Sequence, residues 1–259
     1  SSSCSPRINS IMLINGVITK RILRSSFLLF STTTSASEMT NWEGMWQSGI
    51  SEGQAFDAAK TEPKLVELLN NKNLDPPLPA AAPKRAFVPG CGRGYSVVSL
   101  AEAGYEAEGL ELSPTASQAA RAYFDSKNAS GCKVHVGDFF EWPEENQYSV
   151  VFDSTFLCAI PPTMRTLWAS KMKGILAPGG EIIMNVFPLI PSKPDPADGD
   201  VGSGPPFVMS TRLVSQLLEP LGFTKLTEEP VTGDLKARGF ADETFMRWRA
   251  PSVIAEPEL

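Results

Sequence analysis

Ala86-Phe87-Val88-Pro89-Gly90-Cys91-Gly92-Arg93-Gly94-Tyr95 reads as a short apolar strand running straight into a glycine-rich turn. Ser96-Val97-Val98-Ser99-Leu100-Ala101-Glu102-Ala103 then continues as a helix. Glycine at positions 90, 92 and 94 strips the turn of Cβ atoms on one side. A ligand can approach such a bare backbone, and the following helix adds N–H donors. Ala107–Leu112 reads as the next strand and carries an acid near its end, Glu111, 17 positions past Gly94. A doubly wound sheet places the carboxylate that grips ribose hydroxyls at about this spacing.

The glycine spacing separates two kinds of nucleotide ligand. A dinucleotide fingerprint, G-x-G-x-x-G, needs its third glycine at position 95, which is Tyr95. The pattern present is G-x-G-x-G. With an acid ending the next strand, it resembles motif I of class I S-adenosylmethionine (SAM) methyltransferases. Those enzymes usually carry an acid before the first glycine, where this chain has Pro89.

The rest of the chain alternates. Pro63–Leu69 reads as a helix with proline in its first turn, and Asp75–Pro79 as a linker into the sheet. Pro114–Phe124 is a predicted helix capped by Ser113. Cys132–Val136 and Tyr148–Phe152 are predicted strands. Met164–Ile175 is a predicted helix, Ala177–Gly180 a turn and Glu181–Val186 a strand. Pro188–Pro206 is too rich in proline and glycine for a simple connector and reads as a loop over the site. Ser210–Leu218 is a helix, and Phe223–Thr227 and Phe245–Arg249 are closing strands. This order implies a mostly parallel, doubly wound α/β sheet.

At 259 residues the chain suits one α/β domain, residues 39–259, plus a tail, residues 1–38. The tail is basic and rich in serine and threonine, with no acid before Glu38. That composition fits a transit peptide for a mitochondrion or plastid. A disordered tail, or upstream sequence before a start at Met12 or Met39, fits equally, and the protein would then be cytoplasmic. The net charge of −6 argues against a broad nucleic-acid footprint, and no apolar run reaches the length of a membrane span. Cys4, Cys91, Cys132 and Cys158 have no zinc spacing. His135, the lone histidine, lies inside a strand and reads as structural.

Trp42…Trp46, Val88-Pro89-Gly90-Cys91-Gly92, Gly109-Leu110-Glu111, Phe152-Asp153…Cys158-Ala159-Ile160 and Gly204-Pro205-Pro206-Phe207 together resemble the thiopurine S-methyltransferase superfamily. Within it, the thiol/halide methyltransferases are the closest match. The resemblance covers about residues 40 to 249 and accounts for Pro89. It implies a class I SAM-dependent methyltransferase fold, seven-stranded, with an aromatic N-terminal lid. It also implies SAM as cofactor and a small-molecule or anionic acceptor; separately, the chain is expected to be a monomer. Trp42, Trp46 and Phe56 match the segment that closes over SAM, Gly90 the glycine-turn contact, Glu111 the ribose acid, and Asp138 and Phe139 the adenine contacts. Ser154 falls where plant halide enzymes carry tyrosine and the animal thiopurine enzyme an arginine that faces substrate. Position 154 of this chain is therefore uncharged. Phe156, Phe207 and Ser154 are the candidates for the acceptor pocket, and Ser154 also counts among the expected cofactor contacts. A thiopurine-type S-methyltransferase, a nucleotide-binding oxidoreductase and a non-catalytic SAM-binding protein are the other readings.

Overall fold

The computed structural model describes residues 40–252 except 72, 74, 80–83, 146, 200, 201 and 240. The expected transit peptide or tail, residues 1–38, lies outside the described residues. Seven strands form one sheet: β1 (Arg85–Pro89), β2 (Glu106–Glu111), β3 (Cys132–Val136), β4 (Tyr148–Ser154), β5 (Leu176–Leu189), β6 (Thr224–Val231) and β7 (Asp242–Arg249). Their order is β3-β2-β1-β4-β5-β7-β6. β1 to β5 pair in parallel, and β7 runs antiparallel between β5 and β6. The chain reverses its direction across the sheet between β1 and β4, which opens a crevice at their carboxyl ends.

β4 shows why a central strand reads as unbroken apolar sequence. Val151 packs into one core with Phe87, Trp168, Met172 and Ile182. Its neighbours Val150 and Phe152 pack into the opposite core with Val97, Leu100, Phe124 and Phe245. Alternate side chains point to opposite faces, and helices cover both.

Among the described residues six α-helices accompany the sheet: α1 (Trp42–Gln47), α2 (Pro63–Asn70), α3 (Tyr95–Glu102), α4 (Pro114–Ser126), α5 (Arg165–Ile175) and α6 (Thr211–Leu218). α4 starts where its cap was expected: Ser113 Oγ accepts from Ala116 N at 3.0 Å, with Pro114 at the first helical position. Ser210 does the same for α6, accepting from Leu213 N at 3.0 Å. The linker before β1 is tied to β7. Arg247 donates to Pro76 O at 2.8 Å and to the fully buried Glu181 at 3.0 Å.

Several segments differ from the sequence reading. Ala177–Gly180 is not a separate turn before a strand. β5 already pairs at Leu176, and these residues bulge from it as the register with β4 shifts between Tyr148 and Val150. β5 also runs on through Pro188 to Leu189, so the segment expected to be a loop from Pro188 begins two residues later. The closing strands are longer than their apolar stretches, because antiparallel pairing continues to Val231↔Glu243 and Leu189↔Asp242.

Candidate active site

A cavity of about 360 Å³ lies in the crevice at the carboxyl ends of β1, β2 and β4. Its floor is the glycine turn. Gly90, Gly92 and Gly94 all take positive φ, at 58°, 53° and 80°. At Gly90 the space matters as much as the angle, since a Cβ there would lie 2.6 Å from the Phe156 ring. β2 must also leave room for the turn: a Cβ on Gly109 would lie 2.5 Å from Cys91 Sγ.

Glu111 ends β2 and lines the cavity. Gly92 N donates to its Oε2 at 2.9 Å and Ser113 N to its Oε1 at 3.1 Å. Burial pushes its carboxyl above the ordinary range, while the amides of Ser113 and Gly92 pull the other way. Each oxygen has acceptor capacity left for a hydroxyl on the cavity side. Past β3, Asp138 Oδ1 accepts from Phe140 N at 2.8 Å, and Phe139 meets Phe156 edge-on at 5.0 Å. Both Asp138 and Phe139 line the cavity beside Leu110.

The N-terminal segment forms the opposite wall. Trp42 and Trp46 lie four apart on α1, and each meets Phe56 edge-on at 5.6 Å. Two polar anchors hold the segment down. Glu43 accepts from Thr115 N at 3.2 Å, Thr115 Oγ1 at 2.7 Å and Ser113 Oγ, at the start of α4. These bonds lower its pKa, and a carboxylate suits a helix N-terminus. Asp57 accepts from Arg93 Nε at 2.8 Å and Tyr95 Oη at 3.1 Å. Arg93 also donates to Ile50 O at 3.0 Å and lies over the Trp46 ring. Sequence reading missed Arg93 and Asp57, although Arg93 stands inside the glycine turn.

The remaining wall follows β4. Asp153 is 1% exposed and shapes the turn after the strand: Phe156 N and Leu157 N donate to its Oδ1 at 3.2 Å, and Trp168 Nε1 to its Oδ2 at 3.1 Å. Burial raises its carboxyl to about 6. Thr155, at φ 61°, turns Phe156 inward. Phe156, Cys158, Ala159, Ile160 and Pro161 line the cavity, with Phe187 from β5 and Pro205 and Pro206 from the segment before α6. Phe207 does not line it. Its backbone N donates to Cys158 O at 2.7 Å while its ring turns to the Arg165 guanidinium, 5.7 Å away. Phe187 takes the place expected of it. Burial and the neighbouring Asp153 carboxylate push the Cys158 thiol up to about 12, and burial also raises Cys91, so neither is a reactive thiolate near neutral pH. His135 bonds to Glu108 at 2.9 Å on β2, outside the cavity.

Ser154 lines a smaller, neighbouring cavity of about 90 Å³, which shares Gly90, Thr155 and Arg238 with the first. Ser154 Oγ donates to the Glu62 carboxylate, Ser96 Oγ donates to Glu62 Oε2 at 3.3 Å, and Arg238 Nη1 to Glu62 Oε1 at 3.3 Å. The uncharged residue at 154 thus has a guanidinium near it after all, brought from the other end of the chain and paired with a buried acid.

The site fits SAM on its own geometry. A bare turn at Gly90, a carboxylate with free acceptor capacity, aromatic faces that tolerate a sulfonium, and an adjoining pocket with both charges match the parts of that molecule. Residues 37–238 match the model of the family described as thiopurine S-methyltransferase. The chain is 33% identical to a probable thiol methyltransferase 2 of Arabidopsis thaliana over 90% of this chain and 94% of that one. It is 32% identical to thiocyanate methyltransferase 1 of Brassica oleracea over 82% and 85%. Among solved structures, the glycopeptide N-methyltransferase MtfA in complex with SAM superposes with a TM-score of 0.57 at 14% identity, over 78% of this chain and all of that one.

Proposed function

The chain belongs to the thiopurine S-methyltransferase family and is a SAM-dependent methyltransferase, and from that premise we propose that its acceptor is a small soft nucleophile: a halide, bisulfide, thiocyanate or small thiol. One observation carries this reading. The wall from Phe156 to Pro161, with Phe187 and Pro206, is apolar and presents no residue able to take a proton near neutral pH, since Cys158 is held far up. An acceptor that is already an anion, or nearly one, needs no general base.

SAM supplies a methyl group made electrophilic by its sulfonium. The protein's own work is positioning and drying. Glu111 would accept from the ribose hydroxyls, and Asp138 and Phe139 would hold the adenine. Trp42, Trp46 and Phe56 close the cofactor side. The smaller cavity suits the methionyl end, where Glu62 would take the ammonium and Arg238 the carboxylate. Glu62 then provides the acid that the turn lacks at Pro89. Phe156, Ile160 and Phe187 exclude water, so an anion that enters has shed much of its shell. Charge is neutralised as the methyl moves, which a site of low polarity favours.

The thiopurine alternative needs room for a fused ring and an unpaired cation near position 154, and Arg238 is paired with Glu62. We therefore expect iodide and bisulfide to be methylated more efficiently than a thiopurine, and iodide more than chloride, because it is less hydrated. The test is kcat/KM for the four acceptors on one preparation, with headspace detection of volatile products. A thiopurine leading the series would reject the small-acceptor reading.

A further inference from the structure

β5 is apolar from Ile182 to Phe187 with one exception, Asn185. Asn185 is buried, and its Oδ1 has no hydrogen-bond partner. An apolar residue there would avoid the cost of that orphaned oxygen, so the other end of the amide has to matter. Its Nδ2 donates to Glu243 Oε2 at 2.9 Å. Glu243, near the start of β7, is 2% exposed. Glu181 and Asp57, also buried, hold Arg247 and Arg93, whereas Glu243 makes no ion pair among the described residues. Its Oε1 instead accepts from the backbone N of Arg238 at 2.9 Å. A buried carboxylate without a cation is costly, and this one ties the β6–β7 connection to the centre of the sheet.

The residue so held stands where the two cavities meet. Arg238 lines both, its Nη1 donates to Glu62 Oε1 at 3.3 Å, and its guanidinium lies over the Phe187 ring at 5.4 Å. Among the described residues, the bond to Glu243 is the only hydrogen bond made by the backbone of residues 237–239. A Cβ on Gly239 would meet nothing within 4 Å, so the chain just past Arg238 has open space beside it. Glu243 thus fixes the point from which the Arg238 side chain reaches the smaller cavity. We propose that Glu243, steadied by Asn185, is a positioning residue that sets the reach of Arg238 and thereby the preference for a cofactor carrying an α-carboxylate. The proposal rests on the reading above that Arg238 takes the SAM carboxylate. Neither Glu243 nor Asn185 lines a cavity, so both act through Arg238.

The experiment titrates the full chain with SAM and with decarboxylated SAM by calorimetry. It compares the wild type with Arg238→Met, Glu243→Met, Glu243→Gln and Asn185→Leu. The wild type should prefer SAM, and Arg238→Met should erase that preference. Glu243→Met should weaken SAM about tenfold and leave decarboxylated SAM within about twofold, as expected when one bond to a charged group is misplaced. Glu243→Gln still offers an oxygen to Arg238 N, and its amide can donate to Asn185 Oδ1 once that side chain flips. It should keep SAM affinity within about twofold of the wild type. Asn185→Leu leaves the carboxylate in place and should lose about threefold for SAM alone. An equal loss for both ligands in Glu243→Met, or no loss, would overturn the proposal, as would a glutamine as harmful as the methionine. If Glu243→Met does not fold, Asn185→Leu decides by the same comparison of the two ligands. A preference for SAM that survives in Arg238→Met would instead overturn the placement of the carboxylate on Arg238, and this proposal with it.

Discussion

The wall over the cofactor and the wall around the acceptor enclose one cavity but are held in place by different forces. Trp42, Trp46 and Phe56 rest on each other and are fixed to the domain by polar bonds across long stretches of chain: Asp57 to Arg93 and Tyr95, Glu43 to Ser113 and Thr115. The acceptor wall grows out of β4, and its turn is set by Asp153 deep in the core, with Leu157, Cys158 and Ile160 all buried. The first wall can open by breaking a few bonds at its edge. The second can move only if the core moves. The N-terminal segment is therefore where cofactor entry and exit are expected, and the sheet is expected to set acceptor shape.

The largest expected effect comes from cutting the firmest bond of the first wall. Arg93→Met leaves the Asp57 carboxylate, 2% exposed, without its cation. The loss should be about 3 kcal/mol of stability or more, and about a hundredfold in SAM affinity. Calorimetry that finds SAM affinity unchanged would mean that the aromatic contacts alone hold the wall. Next comes Glu111→Ala, which removes the carboxylate proposed for the ribose. A hydrogen bond to a charged group contributes about 1.5–3 kcal/mol, so SAM should weaken about tenfold to a hundredfold with the fold intact. An equal loss for iodide at saturating SAM would place Glu111 on the wrong side of the comparison.

The acceptor wall is probed through Asp153. Its carboxyl is raised from 3.8 to about 6, so the folded state holds that proton more tightly than the unfolded chain does. The stabilisation is fully present below the unfolded value and is lost as pH rises through the folded one. From pH 7 down to pH 5 this group alone should add about 1 kcal/mol. Urea midpoints at both pH values should show that increment in the wild type and lack it in Asp153→Asn. The smallest effect is at the outer edge of the first wall. Glu43→Ala loses bonds made in contact with solvent, and KM for SAM should rise by about two- to fivefold, with acceptor KM unchanged.

What could be read from the sequence divides along the same line. The glycine turn, Glu111 and the caps at Ser113 and Ser210 are legible because each is decided within a few residues. The bonds that close the cavity are not. Asp57 and Arg93 are 36 residues apart, and Glu62 and Arg238 are 176 apart. A single sequence gives no sign that such pairs meet. Phe207 illustrates a second limit: its position after Pro205-Pro206 places it beside the cavity, but composition cannot tell that its ring turns to Arg165 while Phe187 faces inward. Ser154 illustrates a third, since the charge around it is set by Glu62 and Arg238 rather than by its own side chain.

Cys91 and Gly109 show how closely the turn and its neighbouring strand are fitted. With 2.5 Å between Cys91 Sγ and the place where a side chain would begin on Gly109, position 109 is not free to vary alone. A Cβ at 109 would also lie 3.0 Å from Cys91 Cβ and 3.1 Å from Val97, so an alanine there asks both neighbours to give way. The order of replacements is thereby constrained. A change at 109 is easier once volume has been lost at 91 or 97, and either loss leaves a void beneath the turn until 109 fills it.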